Sequence, residues 1–146
     1  MRRPGRTIIA LLISLLLTWT GVPLAQDDAR INQMLVESYD LLEAGQLDQA
    51  KAIFQEILQQ NPGNPLALNN LAAVMVKEKK YPEALKLLEQ ALPPARGYRV
   101  RVNRVCEAEG ICMAFRPTMQ VYADTPLEPL IKLNIDMVKA RLATRK

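Results

Sequence analysis

Shifted by 34 residues against itself, the chain aligns Leu47, Ala50, Phe54 and Leu58 with Tyr81, Ala84, Leu88 and Leu92. A fixed period of that length means stacked supersecondary units, none of which can bury its apolar face alone. Within each unit an apolar 3.6-residue pattern is followed by a break and a second such pattern. In the second helix of the first unit, Leu47, Ala50, Ile53, Phe54, Ile57 and Leu58 fall on one face. The punctuation agrees: Gly45 marks a turn within the unit, and Asn61-Pro62-Gly63-Asn64 a turn between units. Pro65 suits a first helical turn with Asn64 as its N-cap. The reading is mainly α, two antiparallel helix pairs at about 31–64 and 65–94.

Ala50, Phe54 and Pro62 have the spacing of the alanine, aromatic and closing proline of the tetratricopeptide repeat. Leu68, Leu71, Ala72, Met75, Tyr81 and Ala84 give its large, large, small, large, aromatic and small positions in the second unit. From Ile31 to Leu92 the chain resembles that family, in its exported bacterial form. The small residues let helix backbones approach closely. Glu37 and Ser38 depart from the usual leucine and Gly or Ala, and Pro93-Pro94 is expected to stop the second unit early. The resemblance implies a non-catalytic binding module whose concave groove, lined by the first helix of each repeat, holds a partner peptide. Mapped here, that surface gives Asn32, Leu35, Tyr39, Asn69, Asn70, Ala73 and Val76 as partner-binding residues. Asn69 and Asn70 are suited to grip an extended backbone through amide hydrogen bonds.

Arg2, Arg3 and Arg6 precede an uncharged stretch with its apolar heart at Ile8 to Leu17, the order of a secretory signal. Residues 1–25 are read as a cleavable signal, placing the rest in the periplasm or outside the cell. The alternative is an inner-membrane anchor formed by residues 7–26. About 120 residues then remain, enough for one core. Residues 26–92 carry 6 Lys or Arg against 10 Asp or Glu, and residues 93–146 carry 10 against 5, so an acidic half precedes a basic one.

Two repeats leave Leu85, Leu88 and Leu92 in need of a cover. A capping helix is expected in 125–146, with Thr125 as N-cap, Pro126 in the first turn, Glu128 completing a capping box, and Leu127, Leu130, Ile131, Ile135, Val138 and Leu142 as its apolar stripe. Residues 95–124 form a small β-hairpin-like insertion. Tyr98, Val100 and Val102 alternate with polar residues, Glu107 to Gly110 is the turn, and the return strand is Met113 to Phe115 or Met119 to Tyr122.

Cys106 and Cys112 flank that turn. A disulfide is the economical reading in an oxidising compartment, with a redox-active pair as the alternative. Zinc fits poorly, since the chain has no histidine and two thiolates leave half of a tetrahedral shell empty. The same lack of histidine excludes Ser-His-Asp and Cys-His pairs, and no glycine-rich loop leads into a helix to hold phosphate. No enzyme activity, metal or cofactor is expected. Arg99, Arg101, Arg104 and Arg116 offer contacts to an anionic surface, and nucleic acid is not expected as a partner of an exported chain. An envelope protein or peptide is the expected partner, with self-association through an uncapped end as a further possibility.

Overall fold

The computed structural model describes the backbone of residues 24–108, 111–118 and 125–144, and their side chains outside 24–27 and 102–112. The expected signal, residues 1–25, therefore lies almost wholly outside the described residues. Among those described, no helix is long and apolar enough to cross a membrane.

Four helices form two antiparallel pairs: α1 (Leu24–Glu43) with α2 (Leu47–Gln60), and α3 (Pro65–Lys77) with α4 (Tyr81–Ala95). The small residues lie in the seams, with Ala50, Ala72 and Ala84 fully buried. Around them Phe54, Ile57, Leu71, Met75 and Leu88 fill the space between helices. Ser38 is buried as well, and its hydroxyl donates to the Met34 carbonyl at 2.7 Å within its own helix. A serine therefore fits a position that needs a small side chain. Glu37 points to solvent.

The two intra-repeat turns are geometrically the same, 34 residues apart. At the first, Gly45 has φ 77°, its N–H donates to the Leu42 carbonyl at 3.1 Å, and the Gln46 N–H donates to the Leu41 carbonyl at 2.9 Å. At the second, Lys79 has φ 60°, with Lys79 N–H to Val76 at 2.9 Å and Lys80 N–H to Met75 at 2.8 Å. Both are Schellman caps, which require a left-handed residue after the helix. Between repeats, the Asn64 side chain accepts from the Ala67 N–H at 2.9 Å, and Pro65 occupies the first turn.

Three boundaries differ from the sequence reading. Helix α1 begins at Leu24, ahead of the repeat's expected start. Helix α4 runs through Pro93 and Pro94 to Ala95, and the two prolines forfeit the bonds to the carbonyls four residues back in its last turn. Helix α5 (Leu127–Ala143) starts one residue late for a Thr125 cap. Pro126 precedes it without a side-chain cap, and Thr125-Pro126 is instead a short strand, β4. Strand β4 pairs antiparallel with β1 (Arg99–Val100). The apolar stripe of α5 lies on α4: Leu127, Ile131, Ile135 and Val138 are buried, and Leu130 and Leu142 partly so.

The expected single strand from Tyr98 is divided. After β1 the chain enters β2 (Val102–Ala108), which pairs antiparallel with β3 (Ile111–Pro117), with irregularities between Val102 and Arg104 and between Cys106 and Glu107. Met113 to Phe115 falls in β3, whereas Met119 to Tyr122 lies outside the described residues. Strand β3 lies against α1, α3 and α5, on the side of the first helices, and Met113, Ala114 and Phe115 are buried there.

Candidate functional site

The groove between the first helices of the repeats is built for an extended chain, and the chain's own strand β3 is in it. Asn70 holds Phe115 at two points: its Nδ2 donates to the Phe115 carbonyl at 2.8 Å, and its Oδ1 accepts the Phe115 N–H at 2.9 Å. Asn69 Nδ2 donates to the Met113 carbonyl at 2.6 Å. Asn134, from α5, donates to the same carbonyl at 3.1 Å and to Asn69 Oδ1 at 2.8 Å. All three asparagines are fully buried. Adjacent residues of α3 reach strand residues two apart, whose peptide groups point to the same edge. A strand edge buried against helices would leave donors and acceptors orphaned; the side-chain amides supply what a neighbouring strand would have supplied.

Of the groove residues named from the resemblance, Leu35, Tyr39, Asn69, Asn70, Ala73 and Val76 are all fully buried. An external peptide along that face meets the chain's own hairpin first. Asn32 alone of the set is on an open surface. Asn134 escaped the sequence reading, although its position between Ile131 and Val138 puts an amide in the middle of an apolar stripe, which is a signal for a buried polar contact.

Asn32 lines a cleft of about 700 Å³ beside the N-terminal half of α1, together with Gln33 and Val36. Its opposite wall is β1 and its surroundings, with Tyr98, Arg99, Val100 and Arg101, and the end of β3, with Arg116, Pro117 and Thr118. Three of the four arginines singled out in the sequence are thus brought together at one opening. Arg104 stands opposite Arg116 in the β2–β3 register, with its side chain outside the described residues.

Arg116 is fixed by a two-point bond to Asp40 of α1, Nε to Oδ1 at 2.7 Å and Nη2 to Oδ2 at 3.0 Å. This contact ties the end of β3 to α1 and holds the guanidinium above its usual pKa. Burial, and then the charge of Asp28, raise the Tyr98 phenol above its usual value. Cys106 faces Ala114 and Cys112 faces Glu107 in the backbone register; the cysteine side chains lie outside the described residues. Among the described residues no cluster of His, Cys, Asp and Glu is arranged to hold a metal ion.

Paired helices with alanine seams, a repeated turn geometry and a groove that grips extended backbone define a helical-repeat protein. Residues 41–105 match the family model of the tetratricopeptide repeat, and the match supports a tetratricopeptide repeat protein. The matched segment takes in α2, α3, α4 and β1 and leaves β3 and α5 beyond it. Such repeats are protein–protein interaction modules and in general non-enzymatic scaffolds. No curated protein and no solved structure matches the chain.

Proposed function

We propose that this protein is a non-catalytic adaptor of the bacterial cell envelope that docks a partner protein at the cleft between α1 and β1. The observation that carries the reading is the division of the first-helix face. Its middle is closed by β3 and the three asparagines, while the part beside Asn32 and Gln33 stays open. A groove saturated by the chain's own backbone welds repeats, hairpin and cap helix into one body, leaving the cleft for recognition. The basic and then apolar order of residues 1–25 supports export.

The test is site-specific photo-crosslinking in living cells. A photoreactive residue in place of Gln33 should give one discrete protein adduct, and the same residue in place of the exposed Glu89 on α4 should not. The same adduct from both positions, or none from Gln33, contradicts the assignment. Cell fractionation with N-terminal sequencing decides the export part: a soluble periplasmic chain beginning near Gln26 is expected. Retention in the membrane fraction with residues 7–26 intact would make it an anchored adaptor instead.

A further inference from the structure

We propose that the cleft takes an acidic, extended segment of the partner, with Arg99, Arg101 and Arg116 as its cation set. This rests on the docking reading above and assigns its ligand chemistry. The arginines come from two separate parts of the chain, Arg99 and Arg101 from β1 and the residue after it and Arg116 from the end of β3, and among the described residues that line the opening there is no Asp or Glu. A basic wall on an otherwise mixed surface is charge-complementary to carboxylates, which the planar guanidinium matches at two points. The bond to Asp40 uses two of the five N–H donors of Arg116, so the head is held in place with donors left over.

Other features of the cleft favour a peptide over a bare anion. Val36, Val100 and Pro117 add apolar surface between the charges, and across from the arginines α1 presents the amides of Asn32 and Gln33, which can pair with a bound segment's peptide groups. Specificity then comes from carboxylates spaced to meet the guanidiniums, and the aliphatic contacts add area.

The experiment is fluorescence anisotropy on the full-length chain with a labelled ten-residue peptide carrying six glutamates around Leu and Val. Its all-glutamine analogue and phosphatidylglycerol vesicles serve as rivals. The glutamate peptide should bind at least about tenfold more tightly than the glutamine analogue, and should weaken as salt rises and screens the charges. Arg99→Gln with Arg101→Gln should lose about tenfold, roughly what two rim ion pairs contribute. Lys132→Gln, exposed on α5, should change nothing. Gln33→Trp, at an exposed position of α1, should block binding by bulk and serves as the second variant if the arginine pair proves structural. Equal binding of the two peptides, with Gln33→Trp still blocking, would overturn the acidic class and leave the docking cleft standing. Binding unchanged by Gln33→Trp, or no binding of either peptide at millimolar concentration, would overturn both. Vesicle binding in place of peptide binding would assign the cleft to a lipid surface.

Discussion

Lys79 shows what the repeat architecture imposes on a single residue. Its φ of 60° repeats the geometry that Gly45 adopts 34 positions earlier, yet a lysine Cβ in the left-handed region costs about 1 kcal/mol that glycine avoids. Lys79→Gly should therefore raise stability by about 0.5–1 kcal/mol, read as a thermal midpoint a few degrees higher. An unchanged or lowered midpoint would mean that the turn is not under that strain. Asn70 is the opposite case. Asn70→Ala strips the Asn70 partner from both the N–H and the C=O of the buried Phe115, so a loss of about 2–4 kcal/mol in urea unfolding is expected. At this scale the sequence was partly legible: Asn69 and Asn70 were visible as amides able to hold extended backbone. Nothing local revealed that the backbone is the chain's own, because Phe115 lies 45 residues further on and a pairing over that distance leaves no periodic trace.

Among the elements, the helices were legible because their apolar spacing repeats and their turns carry Gly, Asn and Pro. Strand β1 was legible only as part of one longer strand from Tyr98, and β4 was not legible at all, being two residues, too short to establish alternation. Helix α5 covers the end of the stack, and its buried Ile131 faces the core. Ile131→Asp places a charge in the buried core, so the second repeat should lose its cover. A fall in stability of about 3 kcal/mol or more, with concentration-dependent association in light scattering, is expected; a monomer of native stability would contradict the capping role. Helix α2 is joined to the turn after α3 by Lys51 to Glu78 at 3.4 Å, with Lys80 on the same carboxylate at 2.6 Å. The hydrogen bond from Lys80 holds the Glu78 carboxyl below its usual value of 4.5. With the folded value depressed, this contribution is present above the unfolded value and disappears as pH falls through the folded one. Glu78→Gln should thus remove part of the acid sensitivity below about pH 4.5 and leave its shape above pH 6 unchanged, measured as unfolding midpoint against pH.

Over the whole molecule, the acidic repeats and the basic second half meet where Asp40 of α1 binds Arg116 of β3, so the charge asymmetry of the sequence becomes a contact between the two halves. The repeats supply the helical walls, the insertion fills the groove between them, and recognition moves to the margin at α1. Amide hydrogen exchange at Phe115 tests that arrangement most directly. If β3 is seated on Asn69, Asn70 and Asn134, the Phe115 N–H should exchange as slowly as the amides of α3, through global unfolding, and Asn70→Ala should accelerate it by at least about a hundredfold relative to α3. Exchange of Phe115 at the rate of an open loop in the unaltered protein, with α3 still protected, would show that the groove is empty.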